Sequence, residues 1–299
     1  MTTEPKIDIK NLPEEEYFFG HKACQGCGGS LIVRLTLKVL GERTFVAVPA
    51  NCMSAVGFYY PTMNYGVNAL AAAFAPTGAT LAGMEAGGRA KGLEDFSVVC
   101  FVGDGGTADI GIQALSGAID RNDRIIFICY DNEAYMNTGV QESGLTPYGT
   151  KTTTSPIVAG SQGKKTNKKN MFEIVAAHDI MYAATASAGY PIDFMKKVAK
   201  AKECPGTSFI HVMAPCPTGW GIKEDQTGVI ARDAVECGLW YLAEYENSEY
   251  KLNKNPKEFK PVAEYLKKQG RFGHLTEESI EHIQAQRDIT WERIRRRWI

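Results

Sequence analysis

Residues 97–139 read SVVCFVGDGGTADIGIQALSGAIDRNDRIIFICYDNEAYMNTG, and the reading of this stretch decides the fold. Val98 to Val102 is an apolar run without polar alternation, which suits a strand buried on both faces. Gly103-Asp104-Gly105-Gly106 follows, a turn that glycine tolerates best, with one carboxylate inside it. A helix-length segment starts near Thr107. Ile125 to Cys129 then form a second buried strand that runs into Asp131-Asn132-Glu133. One strand–helix–strand unit therefore presents oxygen ligands at two strand ends, where open α/β sheets bind their ligands.

The same alternation extends outward. Toward the N-terminus, LIVRLTLKVL (31–40) predicts a buried helix and TFVAVP (44–49) a short strand, with Asn51-Cys52 just past its end. The small-residue stretch 79–93 predicts another helix. Toward the C-terminus, Met171–His178 reads as helix, Met181–Ser187 as strand and Thr207–Met213 as strand, the last ending in Ala214-Pro215-Cys216-Pro217. Pro191, suited to a first helical position, opens a helix to Lys202. This pattern predicts an α/β fold, a mostly parallel, doubly wound sheet with helices on both faces. Right-handed crossovers gather the strand C-termini on one edge, so Cys52, Asp104, Asn132 and Cys216 are expected to meet there. An N-terminal arm (1–19), an α/β domain (20–250) and a C-terminal extension (251–299) make up the expected organisation. Residues 141–170 form a loop of a length that is uncommon inside a domain and often functional. Its Lys164, Lys165, Lys168 and Lys169 are expected to be solvated.

Composition narrows the class. The 299 residues carry 33 Lys/Arg against 34 Asp/Glu, with a globular share of apolar residues. No run of about 18 apolar residues predicts a membrane span, and no signal-like N-terminus is present, so a cytoplasmic protein is expected. Residues 251–299 hold 12 Lys/Arg and 7 Asp/Glu, a basic tail expected to contact sister subunits rather than nucleic acid. The eight cysteines favour metal or redox chemistry over a disulfide framework. Cys100 and Cys129 sit inside strand runs as small hydrophobes, and Cys204 and Cys237 read as structural. Cys24, Cys27, Cys52 and Cys216 remain as candidate ligands.

Asp104 and Asn132 are one strand–helix–strand step apart, 28 positions. One carboxylate, one amide oxygen and a nearby main-chain carbonyl suit a hard cation such as Mg²⁺, which binds few protein oxygens and leaves room for phosphates. The helix start near Thr107 adds free N–H groups. Gly-Asp-Gly followed after 26 intervening residues by Asn132 resembles the thiamine diphosphate motif. That resemblance implies that Asp104, Asn132 and the carbonyl of Ala134 bind the metal, with Gly103, Gly105 and Gly106 close to the diphosphate.

Cys24-x-x-Cys27 alone fits zinc, redox or iron–sulfur chemistry. Zinc ribbons pair two such knuckles, and only one occurs here, so scattered thiolates favour a 4Fe-4S cluster over zinc. The strings ACQGCG, NCMS, GDGGTADIG, DNEAYMNTG, TPYGTKTTTSP and APCPTGW resemble, in this order, the β subunit of 2-oxoacid:ferredoxin oxidoreductases, nearest the pyruvate type. The resemblance runs from about Tyr17 to Trp220. It implies cluster ligation by Cys24, Cys27, Cys52 and Cys216, with Asn137 beside the reacting end of the cofactor. It also implies partner α-, γ- and δ-type subunits, one of which supplies the activating glutamate. The implied reaction converts pyruvate and CoA to acetyl-CoA and CO₂, with electrons passing to ferredoxin. Relatives act on branched 2-oxoacids, 2-oxoglutarate or oxalate. Where the family often carries an acidic or polar side chain after the Cys-x-x-Cys pair, Gly28 and Gly29 stand here, and Met53 follows Cys52. Arg34, Arg43, Arg89 and Arg121 read as peripheral. The rival from another class is a non-catalytic iron–sulfur or zinc-stabilised electron-transfer or nucleotide-binding protein.

Overall fold

In chain order the strands of the main sheet are β1 (Thr44–Pro49), β2 (Asn68–Ala72), β3 (Ser97–Gly103), β4 (Ile126–Asp131), β5 (Tyr182–Ser187), β6 (Ser208–Met213), β7 (Ala243–Glu246) and β8 (Glu249–Leu252). They lie in the order β8-β7-β5-β6-β4-β3-β1-β2. All neighbours from β5 to β2 pair in parallel, whereas β7 and β8 run antiparallel at one edge. The structure, a computed structural model, describes residues 7, 12–159 and 161–298.

The central strands are apolar throughout because both faces are covered. Val46, Val48, Val99, Phe101, Ile126 and Ile128 point to one side, where they meet α1 (Gly28–Leu40) and α6 (Pro191–Glu203). Their sequence neighbours Ala47, Cys100, Val102, Phe127 and Cys129 point to the other. That face carries α3 (Thr77–Ala90), α4 (Ile112–Asp120) and α5 (Met171–Ala176), together with α10 (Glu277–Trp298). The period-2 alternation of strand side chains thus divides one apolar run between two cores. Cys100 and Cys129 are buried in them, as expected.

Three strands of the main sheet lay outside the sequence reading. β2 is an edge strand of Asn-Ala-Leu-Ala-Ala with no β-branched residue, mostly open to solvent, so its composition carries little strand signal. β7 and β8 are four residues each. Residues 251–299 do not stand apart from the domain. β8 joins the sheet, and Trp291, Ile294 and Trp298 of α10 are buried in the same core as Phe172 and Tyr245. Trp291 Nε1 donates to Gly238 O at 2.7 Å, and Arg287 Nη1 donates to Cys237 O at 2.7 Å. Within the N-terminal arm, Phe18 is buried and Glu16 accepts a two-pronged hydrogen bond from Arg34 of α1. Residues 1–6 and 8–11 of that arm lie outside the described residues.

Candidate functional site

Parallel register brings the strand ends level: Gly103 pairs with Tyr130, and Asp131 with Met213. Past these ends opens a cleft of about 260 Å³. Gly103, Asp104, Gly105, Gly106, Asn132, Ala134 and Asn137 all line it, and so does Cys52. Among the sites expected from sequence, the oxygen set and one cysteine therefore share a single space.

The chain folds into this shape for local reasons. Asn51, two residues past β1, caps α2 (Cys52–Gly57), accepting from Met53 N and Ser54 N, while its Nδ2 donates to Phe101 O of β3 at 2.9 Å. Cys52 is thereby fastened to the strand that leads to Asp104. After Gly103 the backbone enters one wide π-helical turn (Gly106–Ile110) before α4, so the expected helix begins with an extra residue in its first turn. Gly105 is required by a neighbour: a Cβ there would stand 2.1 Å from the Tyr135 ring. Tyr135 is itself held by its hydroxyl, which donates to Asp109 at 3.0 Å.

Asp104 is almost fully buried and accepts a short hydrogen bond from the Ser143 hydroxyl. Burial, and then the charge of Asp131, push its carboxyl well above the usual carboxylate range. One terminal atom of the Asn132 amide lies 3.0 Å from both Asp104 Oδ1 and Ala134 O. With nitrogen there, the amide donates to both. With oxygen there, three acceptors face one another, an arrangement that only a cation makes favourable. The same three groups thus hold together without a metal by hydrogen bonds, and one amide rotation converts them to an all-oxygen ligand set. That donor set suits a hard divalent ion.

Behind these groups lies a buried ionic network that sequence reading missed. Lys168 Nζ bridges Asp131 at 2.6 Å and Glu133 at 2.7 Å. Burial opposes ionisation of Asp131, but Lys168 and then His211 outweigh it and hold its pKa below the usual value. His211, whose pKa burial lowers, meets the same carboxylate through Nε2 at 2.7 Å. Arg271 reaches Glu133 at 2.5 Å from the C-terminal extension. The lysine expectation is corrected accordingly. Lys164 is buried and donates to Ser143 O at 2.8 Å, Lys168 is in the network, and Lys169 pairs with Asp109 at 2.7 Å. Lys165 and Lys169 are both exposed, so the solvated reading holds for Lys165 and, beside its ion pair, for Lys169. A thirty-residue stretch without apolar period holds its ground because its lysines and hydroxyls fasten it to the loops that follow β3 and β4. Arg34, Arg43, Arg89 and Arg121 do lie peripherally, on Glu16, Glu94 O, Glu85 and Asp123.

The cysteines arrive from three segments: the Cys24–Cys27 loop, the start of α2 and the start of α7 (Pro217–Trp220). Cys27 caps α1 and accepts from Ser30 N, and Cys216 caps α7 and accepts from Gly219 N at 3.4 Å. Gly28 allows the Cys24–Cys27 loop to lie on the end of β6: its N–H donates to Pro215 O at 3.1 Å, and a Cβ would stand 2.6 Å from Ala214 C. Of the departures from the family pattern at Gly28, Gly29 and Met53, Gly29 and Met53 form one packing, since a Cβ on Gly29 would lie 3.1 Å from the Met53 methyl. The Cys52 thiol is pushed up to about 12 by burial first, then by the charges of Cys216, Cys27 and Cys24. All four therefore lie within electrostatic reach of one another. They do not close on one point: among the described residues, no three His, Cys, Asp or Glu side chains are grouped to hold a single metal ion.

A parallel α/β sheet with this edge defines the class, and comparison with known proteins agrees. Residues 46–212 match the family described as thiamine pyrophosphate enzyme, C-terminal TPP binding domain. The pyruvate synthase subunit PorB of Methanothermobacter thermautotrophicus is 49% identical over 285 residues, covering 95% of this chain and 99% of that one. The ketoisovalerate oxidoreductase subunit VorB of Pyrococcus horikoshii is 49% identical over 290 residues, covering 95% and 93%. The 2-oxoglutarate:ferredoxin oxidoreductase structure from Magnetococcus marinus shares the fold, with a TM-score of 0.58 over 73% of this chain and 70% of that chain at 22% identity. The chain belongs to the 2-oxoacid:ferredoxin oxidoreductases, as the β subunit that carries the thiamine pyrophosphate-binding domain. It is a subunit of an oxidoreductase, of the pyruvate or ketoisovalerate type. No helix among the described residues is long and apolar enough to cross a membrane.

Proposed function

We propose that the chain holds thiamine diphosphate through Mg²⁺ and a 4Fe-4S cluster, and that its complex oxidatively decarboxylates pyruvate with CoA. The single observation that carries this reading is the shared cleft: Cys52 lines the same space as Asp104, Asn132, Ala134 and Asn137. Asp104 Oδ1, the Asn132 side-chain oxygen and Ala134 O are the magnesium ligands. Gly103, Gly105 and Gly106 leave the backbone open to the diphosphate, and Asn137 stands at the exposed side of the cleft, beside the reacting end. Cys24, Cys27, Cys52 and Cys216 are the cluster ligands. Thiolates on a four-iron core stand farther apart than ligands of one ion, which fits cysteines that gather without converging.

Thiamine diphosphate supplies a ring that accepts the electron pair released by decarboxylation. This chain's residues bind and orient: the metal loop anchors and neutralises the diphosphate, and the cysteines keep an electron acceptor beside the cleft. Among the described residues lining the cleft, Asp104 is the sole carboxylate, and it is taken up as a proposed metal ligand. The acid–base group that activates the cofactor therefore belongs to a partner chain, and the α-, γ- and δ-type subunits are needed for turnover, with ferredoxin as the final acceptor.

A second substrate reading, 2-oxoisovalerate, is favoured by the equal similarity to the ketoisovalerate subunit. Anaerobically purified complex is to be assayed on pyruvate, 2-oxoisovalerate, 2-oxoglutarate and oxalate, with iron, zinc and extractable thiamine diphosphate measured alongside. Turnover of pyruvate with about four irons per β subunit supports the proposal. Zinc in place of iron removes the cluster, and turnover of oxalate alone removes the substrate.

A further inference from the structure

Helix α7 serves both ligand sets on four residues. At its start stands Cys216, and at its end the Trp220 Nε1–H donates to Asn132 O at 2.7 Å. Between them Gly219 lies against the loop that follows Ala134: a Cβ there would stand 2.3 Å from Met136 Sδ. Arg271 closes the unit from the other side. Its guanidinium lies 3.7 Å from the centre of the Trp220 ring, and its Nη2 meets Glu133 Oε2. Trp220, Arg271 and Glu133 are all buried.

Glu133 is the residue between the two innermost metal-side groups, and its φ is +68°. A side chain other than glycine resists that conformation and keeps it only where its surroundings impose it. The surroundings here are specific: Thr146 Oγ1 donates to Glu133 O at 2.7 Å, Lys168 holds Oε1 and Arg271 holds Oε2. The turn at Glu133 brings the Asn132 side chain and the Ala134 carbonyl to the same point. The loop's shape therefore depends on Trp220 and Arg271, and Trp220 moves with Cys216.

We propose, on the function proposed above, that Trp220, Arg271 and Glu133 are positioning residues that couple the cysteine site to the oxygen site. Holding Cys216 in an iron–sulfur centre fixes α7, and α7 fixes the Asn132–Ala134 loop in its metal-binding shape. Affinity for the magnesium diphosphate cofactor rises when the cysteines are occupied. By thermodynamic reciprocity, the cofactor strengthens retention of iron by the same factor.

The test uses the anaerobic complex with its partner subunits, wild type and Trp220→Phe, which keeps an aromatic ring and loses the N–H donor. Three quantities are read: the dissociation constant of thiamine diphosphate with Mg²⁺, iron per chain, and the rate of iron loss to a chelator with and without thiamine diphosphate. The expected variant keeps its iron, binds thiamine diphosphate roughly three- to tenfold more weakly, and shows no protection of iron by the cofactor. Equal affinity overturns the proposal, as does protection that survives in the variant, because simple shielding would persist. Arg271→Met reads the same coupling from the other side, with Arg271→Lys as its rescue. The lysine variant must recover affinity and protection together, and recovery of one alone also overturns the coupling. A wild-type complex that binds no thiamine diphosphate, or holds zinc, overturns the function proposed above instead.

Discussion

The two proposed ligand sets, one of oxygens and one of sulfurs, are built differently. The oxygen set lies on strand ends joined by a single crossover, with its hydrogen bonds already made: Ser143 on Asp104, and the Asn132 amide between Asp104 and Ala134. The sulfur set comes from segments as far apart as residues 24 and 216, and its members gather without closing on a point. The difference teaches how each fold-encoded site pays for its geometry. Oxygen donors can satisfy one another through protons, so the loop is fully formed by the protein's own bonds. Neighbouring thiols repel one another once ionised and make only weak hydrogen bonds, so their final spacing is left to whatever binds them.

Four outcomes break or sharpen that contrast. Lys168→Met has the largest effect. It withdraws the cation from two buried carboxylates, Asp131 and Glu133, and is expected to destabilise the chain by roughly 3–5 kcal/mol in denaturant titration. A change within 1 kcal/mol, on the order of an exposed pair, would remove the network from its structural role.

Asp104→Ala comes next. Outer partners of a metal are worth about 10–100-fold, so loss of a ligand should weaken thiamine diphosphate retention by more than about a hundredfold while iron stays at the wild-type level. Cofactor bound at normal affinity would show that the oxygen set is not the metal site. Ser143→Ala removes the hydroxyl on Asp104 without touching the ligand set. Equilibrium binding should show magnesium-dependent affinity falling by about tenfold. An unchanged affinity would mean that the oxygen set needs no support from the long loop.

The smallest effect is at the arm. Hydrogen bonds from Arg34 hold the Glu16 carboxyl down to about 2, with Lys38 adding to them against a modest desolvation. The native state therefore binds fewer protons than the unfolded one in that range. The stabilisation is complete above about pH 4.5 and fades as the pH falls toward 2. Being partly exposed, the pair is worth under about 1 kcal/mol. Glu16→Gln should lower Tm slightly at pH 7, with the difference shrinking in acid. A Tm gap independent of pH would assign the arm's attachment to Phe18 instead.

Much of the fold was legible locally. The unbroken apolar runs at 98–102 and 125–129 could only be strands covered on both faces, and the proline at 191 marked a helix start where one begins. The exposed strand β2 was illegible because its alanine-rich sequence leans toward helix and, at the sheet edge, buries no face. Asp104 and Asn132 were legible because glycine-bounded turns at strand ends carry both a backbone and a spacing signal. Lys168 and Arg271 carried neither. A lysine in a run of lysines reads as solvated until something buries it, and Arg271 stands 138 residues from its carboxylate partner.

The sequence by itself determined which segments are strands, where the glycine turns fall, and which oxygen and sulfur atoms leave strand ends. Those are consequences of short-range sterics and side-chain period. Only the tertiary structure decided that the C-terminal extension braces the loop at Glu133, that Lys168 serves two buried carboxylates, and that Trp220 ties Asn132 to the helix bearing Cys216. Such contacts arise from sheet order and packing, where partners distant in the chain meet because the core leaves them nowhere else to satisfy charge and hydrogen bonds.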